Sequence, residues 1–390
     1  MKVVYFDNNA TTRVADEVYE AMQPYFCELY GNPSSMHTFG GQVGIKVREA
    51  RENVARLLGC DPSEVIFTSC GTESDSTAIH GTLAAVPQRR KVITTRVEHP
   101  AVLTVCRDLE SRGYHVIELN VDKLGRLDLD ELENCLDDET ALVTIMYANN
   151  ETGVVFPIEQ IAEMVTSRGI TFHTDAVQIV GKMPLKLSNS SINLLSLSGH
   201  KLHAPKGVGV LYVKKGTRIA PWLLGGHQEG GRRAGTENVP GIVGLGVACD
   251  LAFKYMDEEN TRVKALRDRL ETAILEACPD SRVNGDPGSR LPNTTNISFE
   301  YVEGEAILLL LDRFGICASS GSACTSGSLE PSHVLRAMGV PFTAAHGSVR
   351  FSLSRYSTEE EVDLAIEKMP PIINRLRELS PFVQNRALSR

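Results

Sequence analysis

Two clusters of reactive side chains lie near the middle of the chain, each directly after a short apolar run. Asp175 and Gln178 follow one run, and Ser198, His200 and Lys201 follow the next. A short apolar run that ends in polar residues is typical of a buried parallel strand whose C-terminal end opens onto a site. The spacing therefore predicts that a carboxylate, an amide, a hydroxyl, an imidazole and an amine meet at one edge of a parallel sheet.

The carboxylate and the amine together indicate pyridoxal phosphate chemistry. A lysine can form a Schiff base with the aldehyde of this cofactor, and a carboxylate can pair with its pyridinium nitrogen so that the ring accepts electrons. Lys201 and Asp175 supply these two groups. Either residue alone is better explained as a surface lysine or a strand-end aspartate of an unrelated α/β enzyme. The two stretches together favour the cofactor site.

Three further strand ends carry candidate ligands of the same site. His99 and Asn150 each follow a predicted strand, and Gly71 and Thr72 lie where another strand turns into a helix through small residues. The free N–H groups and the positive dipole at such a helix start favour a phosphate. The segment is not a Walker A sequence, because Gly-Lys-Ser/Thr is absent. The alternative is that Thr72 only caps the helix and nothing binds there.

Two glycine-rich segments stand apart from the strands. In residues 318–328, Cys324 is surrounded by small residues, so no apolar stripe is available to bury it. Cys324 is therefore either an incidental exposed thiol or a nucleophile on a mobile arm. Residues 225–236 are rich in glycine and carry two arginines. This composition suits an anion or a partner subunit, and a mobile surface loop is the alternative.

The elements that must position these residues alternate between strand and helix. This alternation predicts an α/β fold with a mainly parallel sheet that is covered on both faces. The chain of 390 residues exceeds the usual size of one domain. A long helical region that begins at Gly241 is the predicted boundary with a second domain.

Composition narrows the class of protein and its partners. The net charge of −9 argues against binding to nucleic acid or to an anionic membrane surface. No apolar run approaches the roughly 20 residues that a bilayer needs, and the N-terminus has no signal-peptide segment, so we expect a cytoplasmic protein. The nine cysteines include no Cys-x-x-Cys pair. Most of them are expected to be reduced thiols packed as small apolar residues.

With these residues in place, the chain resembles the NifS/IscS class of cysteine desulfurases, most closely the NifS type, within the class-V aminotransferase family. The resemblance extends from residues 7–12 to residues 350–353, and its most specific segments are 198–201 and the Cys324 loop. It implies the aspartate-aminotransferase-like fold, which is fold type I of the pyridoxal phosphate enzymes. The large, mainly parallel-sheet domain would comprise residues 13–255. A smaller α+β domain of residues 1–12 and 256–390 would carry the catalytic-cysteine loop.

The resemblance also implies roles for individual residues. Cys324 would accept sulfur, Lys201 would hold the cofactor and remove the substrate α-proton, and His99 would stack on the ring and assist proton transfer. Asn8 and Arg350 would grip the substrate carboxylate. The implied cofactor ligands are Gly71, Thr72, His99, Asn150, Asp175, Gln178, Ser198, His200, Lys201 and, from the other subunit, Thr236.

The implied reaction converts L-cysteine to L-alanine and leaves the sulfur as a persulfide on Cys324. A homodimer would then pass this sulfur to an iron–sulfur scaffold protein, and the NifS-like motifs favour a nitrogenase-related role over general iron–sulfur supply. No resident metal is expected, although Cys324 would contact an iron–sulfur cluster transiently. The alternatives are an aminotransferase, which has no use for Cys324, a selenocysteine lyase, and a catalytically silent scaffold that only binds assembly partners.

Overall fold

A computed structural model describes residues 3–320 and 331–380 of the chain. Within these residues strands and helices alternate as the sequence predicts. The strands are β1 (Val4–Tyr5), β2 (Val65–Thr68), β3 (Lys91–Thr95), β4 (His115–Leu119), β5 (Thr140–Thr144), β6 (Thr171–Asp175), β7 (Leu194–Ser198), β8 (Gly209–Val213), β9 (Ser281–Val283), β10 (Thr294–Phe299), β11 (Ile316–Cys317) and β12 (Ser348–Ser352). The helices are α1 (Asp16–Met22), α2 (Pro24–Cys27), α3 (Thr38–Leu58), α4 (Gly71–Ala85), α5 (Pro100–Ser111), α6 (Leu129–Cys135), α7 (Ile158–Thr166), α8 (Val239–Lys254), α9 (Met256–Glu258), α10 (Lys264–Ala277), α11 (Gly304–Asp312), α12 (His333–Ala337), α13 (Phe342–His346) and α14 (Glu359–Leu379).

The large sheet has seven strands in the order β2-β8-β7-β6-β5-β3-β4. Only β8 is antiparallel to its neighbours, β2 and β7. Every residue of β2, β3, β5, β7 and β8 is buried, as expected when helices cover both faces of a sheet. Since all strands except β8 run the same way, their C-terminal ends meet at one edge. The prediction of an α/β fold with a mainly parallel sheet is confirmed.

The C-terminal third forms a second layer with its own apolar cluster. Strands β12, β10 and β9 form an antiparallel sheet, and β1 pairs in parallel with β11. The N-terminal Val4 and Phe6 pack here with residues of α10, α11 and α14. The larger apolar cluster is built mainly from the region before Met256, but Leu291, Val334 and Leu335 also join it. These two clusters support the division into residues 13–255 and residues 1–12 with 256–390, which stays a prediction.

Across residues 3–320 and 331–380, no single helix is long and apolar enough to span a bilayer. Helix α8 and the following helical stretch Met256–Ala277 reach the length and hydropathy of a membrane span only as a pair, and the two are bent by 58° relative to each other.

A glycine in β8 allows the sheet to approach the residue that precedes α4. A Cβ atom at Gly209 would lie 2.8 Å from the carbonyl carbon of Cys70 and 2.9 Å from the carbonyl oxygens of Cys70 and Leu197. All three contacts are with backbone atoms, which cannot rotate away. Gly209 therefore sets the distance between β8 and the start of α4.

The Gly209→Ala substitution is expected to lower the free energy of unfolding by about 1–3 kcal/mol, because the added methyl group overpacks a rigid backbone contact. The matched control is Gly41→Ala in α3, where an added Cβ meets no atom within 4 Å. There the higher helix propensity of alanine is expected to raise stability by up to about 1 kcal/mol. Denaturant unfolding of both variants measures the difference, and equal effects would show that the contact at Gly209 is unimportant.

Candidate active site

A cavity of about 410 Å³ opens at the C-terminal ends of the parallel strands. Most of the residues predicted to form a site line it. They are Gly71, Thr72, His99, Asn150, Asp175, Gln178, Ser198, His200, Lys201 and Arg350. Asn8 and Thr236 do not line this cavity, and Cys324 lies outside the described residues.

The amine of Lys201 is held at this cavity by the N-terminal segment. Lys201 ends a short 3-10 turn that directly follows β7. Its Nζ donates hydrogen bonds to the carbonyl oxygens of Asn9, at 2.5 Å, and Ala10, at 2.7 Å. The lysine predicted to bind the cofactor therefore lies between the large sheet and the first residues of the chain.

Asp175 is the last residue of β6 and is nearly buried. One of its carboxylate oxygens accepts the backbone N–H of Val177 at 2.9 Å. Burial raises the pKa of Asp175, while His99, when it is protonated, and Lys201 act in the opposite direction. A buried carboxylate of this kind is stabilised by a cationic partner, and the protonated ring nitrogen of pyridoxal phosphate is such a partner.

His99 is fixed by its role at the start of a helix. Its Nδ1 accepts the backbone N–H of Ala101 at 3.1 Å, and Pro100 occupies the first turn of α5. Burial lowers the pKa of His99, so the neutral ring is favoured. Because Nδ1 is the acceptor, the proton of this neutral ring is on Nε2.

The start of α4 has the features of an anion cradle. The residue before the helix, Cys70, makes no side-chain capping bond, and Thr72 lies inside the helix. The alternative that Thr72 caps this helix is therefore wrong. A Cβ at Gly71 would lie 2.9 Å from Cγ2 of Val177 and 3.5 Å from Cβ of Ser198. Glycine thus keeps the first turn close to the strand ends that bear the other site residues.

His200 completes this end of the cavity. Its Nδ1 is 3.1 Å from the hydroxyl oxygen of Thr11, with which it shares a hydrogen bond. Burial lowers the pKa of His200 to about 4, with a further contribution from nearby Lys201. The imidazole is therefore neutral near pH 7, and it acts through hydrogen bonds rather than through charge.

Arg350 brings a cation to the cavity from the second layer. It lies on β12 and is only 2% exposed. Its guanidinium donates to the carbonyl oxygen of Asn150 at 2.9 Å and to the carboxylate of Asp7 at 2.7 Å. Among the described residues, Nε of Arg350 has no hydrogen-bond partner. A buried donor of this kind fits the carboxylate of a small substrate.

Asn8, the other predicted carboxylate ligand, has a different environment. Its amide nitrogen donates to the carbonyl oxygens of Tyr5 and Ser352. It lines a small neighbouring cavity that also contacts Lys201, whereas Asn9 lines the main cavity. The role of Asn8 in substrate binding stays a prediction.

Two buried acids near the cavity were not anticipated. Asp75 is 1% exposed, lines the cavity and lies 3.7 Å from Nε2 of His173. Burial raises its pKa. It lies four positions after Gly71, so helical periodicity could have placed both on one face of α4. Glu98 accepts the backbone N–H of Met146, and burial raises its pKa to about 8.

In residues 3–320 and 331–380, no group of three or more His, Cys, Asp or Glu side chains is arranged to hold a metal ion.

Comparison with known proteins decides the family. The family model described as "Aminotransferase class-V" matches residues 4–364. The chain belongs to the class-V aminotransferase family. This assignment confirms the resemblance drawn from the motifs and the fold type that it implies.

The similarity to known proteins covers almost the whole chain. A protein of Trichormus azollae named "Cysteine desulfurase" is 63% identical over 387 residues, which are 99% of this chain and 97% of the relative. A protein of Azotobacter vinelandii named "Cysteine desulfurase NifS" is 63% identical over 383 residues, which are 98% and 95% of the two chains. A solved structure described as a "NIFS-LIKE PROTEIN" is 40% identical, covers 96% of this chain and 100% of its own, and has a TM-score of 0.90.

Class-V aminotransferases and cysteine desulfurases depend on pyridoxal phosphate. The residues at the cavity fit this cofactor. The uncapped start of α4 suits its phosphate, the buried Asp175 suits its ring nitrogen, and Lys201 offers an amine at the same cavity.

The glycine-rich segment 225–236 is held by ion pairs and a hydrogen bond to residues of α3, β2 and α4. Glu229 forms an ion pair with Arg51 at 2.7 Å and accepts the backbone N–H of Phe67. Arg233 pairs with Glu73 of α4 at 2.8 Å. Thr236 itself is exposed. Its assignment to the cavity of a partner subunit stays a prediction.

Proposed function

We propose that this class-V aminotransferase is a cysteine desulfurase that converts L-cysteine to L-alanine and transfers the sulfur to Cys324. The observation that carries the proposal is the 63% identity over 99% of the chain to a protein named cysteine desulfurase. The grouping of Lys201, Asp175 and His99 at one cavity supports it.

The proposed reaction is balanced without an external oxidant or reductant. The bond between the β-carbon and the sulfur of cysteine breaks, and an S–S bond to Cys324 forms. The β-carbon is reduced and ends as the methyl group of alanine with one additional hydrogen. The transferred sulfur and Sγ of Cys324 are each oxidised by one electron, and the transferred sulfur becomes the outer, protonated sulfur of the Cys324 persulfide.

The residues around the cavity have separate roles in this reaction. When bound, pyridoxal phosphate withdraws electrons from the α-carbon of the substrate. Asp175 would hold its ring nitrogen, and Gly71, Thr72, Ser198 and His200 would hold its phosphate. The neutral ring of His99 would lie beside the cofactor, and Asn150 also lines this part of the cavity.

The amine of Lys201 takes the α-proton of the substrate and returns it to the substrate skeleton. Its two carbonyl partners, Asn9 and Ala10, keep the nitrogen at the cavity. Proton transfer of this kind by a positioned base typically contributes 10²- to 10⁴-fold to the rate.

The function is tested by incubating the holoenzyme with L-cysteine and measuring alanine and sulfide in the presence of dithiothreitol. We expect equal amounts of the two products. Transfer of the amino group to an added keto acid without sulfide would indicate an aminotransferase. Strong preference for selenocysteine would indicate a selenocysteine lyase, and protein without a visible cofactor band would indicate a silent scaffold.

Arg350 is expected to determine the affinity for the substrate carboxylate. The Arg350→Lys substitution keeps the positive charge but removes the planar, forked donor geometry. We expect kcat/KM for cysteine to fall by roughly 10- to 100-fold, mainly through a higher KM, because the charge-assisted hydrogen bond from Nε is lost and such a bond is worth about 1.5–3 kcal/mol. Arg282→Lys on β9, an exposed position, is the control. An unchanged KM in Arg350→Lys would assign the carboxylate to another residue.

We further propose that the active form is a homodimer. Several large apolar side chains in the part of the chain before Met256 are exposed. Among them, Met36 is fully exposed, and Leu224, just before the glycine-rich segment 225–236, is 80% exposed. Exposed apolar surface of this kind favours association. In such a dimer, Thr236 would contribute to the cavity of the other subunit.

The Leu224→Asp substitution is expected to weaken the dimer, because it places a charge in the proposed interface. Sedimentation should show a dimer for the wild type and at least a tenfold higher dissociation constant for this variant. Leu309→Asp, at a position on α11 that is 70% exposed, is the matched control and should remain dimeric. A fully active wild-type monomer at assay concentration would exclude the role of Thr236.

The sulfur is proposed to pass to an iron–sulfur scaffold protein, in a nitrogenase-related role. The name NifS of the Azotobacter vinelandii relative supports this assignment. A cytoplasmic location and the absence of nucleic-acid binding stay predictions.

A further inference from the structure

A buried lysine that has no part in the proposed chemistry lies behind the cavity. Lys182 follows β6 and is only 7% exposed. Its Nζ donates to the backbone carbonyl oxygen of Gln178 at 2.9 Å and to the side-chain Oε1 of the same residue at 3.2 Å. Within the described residues, both side-chain hydrogen bonds of the amine are therefore with Gln178, which lines the cavity.

These contacts fix which way the Gln178 amide faces. Its Nε2 donates to the carbonyl oxygen of Asn9 at 3.0 Å, and the same oxygen accepts Nζ of Lys201. The ammonium form of a lysine offers donors only, and a carbonyl offers an acceptor only. A flipped amide would place its NH₂ group against Lys182 and its oxygen against the carbonyl of Asn9. Both contacts would be repulsive, so a single orientation is favoured.

Lys182 lies in an environment that disfavours its positive charge. Burial lowers its pKa to about 7, and Lys201 and Arg350 act in the same direction, while Glu259 opposes them. Glu259 lies in a π-helical turn, Glu259–Val263, and is 7% exposed. The remaining charged or titratable groups around the small cavity between these residues are His203 and Arg355.

The burial of Lys182 and Glu259 is not expected to increase the free energy of unfolding. Removing two charges from water costs several kcal/mol per ion, and a well-packed apolar pair would often be at least as stable. Burial of Lys182 and Glu259 is better explained by a local task. The only side chain in the cavity that Lys182 contacts by hydrogen bonding, among the described residues, is Gln178.

We propose that Lys182 is a positioning residue that locks the Gln178 amide so that the second hydrogen of Nε2 would be donated to the phenolic oxygen of bound pyridoxal phosphate. The first hydrogen of Nε2 is already used by the carbonyl of Asn9. The inference rests on the proposed function only in placing this cofactor in the cavity. It assigns Lys182 a task that does not depend on which amino acid is the substrate.

The test is a pH titration of the visible absorbance of the holoenzyme without substrate. A hydrogen-bond donor and a nearby cation oppose uptake of a proton at the cofactor site. The Lys182→Met substitution removes the cation and allows the Gln178 amide to turn its donor away from the cofactor. The pH midpoint of the absorbance change is therefore expected to move upward by about one unit. Lys91→Met is the matched control, because Lys91 is equally buried but bonds to Cys135 and Asp137 at the other end of the sheet. Its midpoint should not change.

Two further variants separate positioning from a general loss of structure. Lys182→Gln keeps a donor for Oε1 of Gln178, and should return the midpoint most of the way to the wild-type value. In a Gln178→Ala background, Lys182→Met should move the midpoint less than half as far, because the residue through which it acts is gone. Lys182→Ala carries the same expectation as Lys182→Met if the latter does not fold.

An unchanged midpoint in Lys182→Met, or an equal shift in the Gln178→Ala background, would overturn the proposal. Neither result depends on turnover of cysteine. Failure of the wild-type protein to produce alanine, with a normal titration shift in Lys182→Met, would instead contradict the proposed function alone.

Discussion

Replacing Lys201 with alanine is expected to reduce turnover of cysteine by roughly 10³- to 10⁵-fold, because one amine both binds the cofactor and moves the α-proton. Among the described residues that line the main cavity, Lys201 is the sole lysine. Removal of its side chain also leaves the carbonyl of Ala10 without the donor described here.

The assignment is checked by borohydride reduction of the holoenzyme followed by peptide mass spectrometry. The wild type should carry a reduced cofactor adduct on the peptide that contains Lys201, and Lys201→Ala should carry none. Lys206→Ala, an exposed lysine five residues later, serves as the control and should retain both the adduct and activity. A covalent lysine adduct that persists in Lys201→Ala would show that another lysine binds the cofactor.

Replacing Cys324 with alanine is expected to stop sulfur transfer while cofactor binding continues. The cofactor residues lie on strand ends and on α4, so their positions do not require this thiol. The variant should show spectral changes when cysteine is added, but production of alanine and sulfide should fall by at least about 10³-fold because the nucleophile is absent.

The remaining cysteines make the location of the sulfur informative. The eight cysteines in the described residues are free thiols, and burial raises the pKa of Cys60 and Cys106 to about 12. Thiols with such values are rarely ionised near neutral pH and are poor nucleophiles. Cys27 is the exposed thiol, so Cys27→Ala is the matched control. After a stoichiometric pulse of cysteine, labile sulfur should be found on Cys324. Full turnover by Cys324→Ala, or persulfide on Cys27, would contradict the mechanism.

The strand ends of the site were predictable because of a geometric property of parallel sheets. Strands that run the same way present their C-terminal ends at one edge, so polar residues that follow separate apolar runs must converge. His99, Asp175 and Lys201 meet at one cavity for this reason. Arg350 was reached only through the family resemblance, since nothing in a distant antiparallel strand indicates that it returns to the cavity.

Other features depend on contacts that local patterns do not encode. The start of α4 has Cys70 before its first residue rather than a side-chain cap, although Thr72 offered a plausible one. The N-terminal loop places Asn9, not Asn8, in the main cavity, and a difference of one residue in a turn is not visible in composition. Lys182 and Glu259 are separated by 76 intervening positions, yet they line the same small cavity.

The anchoring of the N-terminal segment affects when the enzyme can mature during its synthesis. Asn9 leaves the ribosome early, but its backbone N–H donates to Ser352, which is 343 residues later. At about 5–20 residues per second, this interval is roughly 20–70 s. Until it ends, the segment that holds Lys201 lacks its hydrogen bonds to Ser352 of β12. Ribosome-bound chains that stop before Ser352 are therefore expected not to retain pyridoxal phosphate, so that cofactor loading follows translation and unfinished chains do not capture a reactive aldehyde.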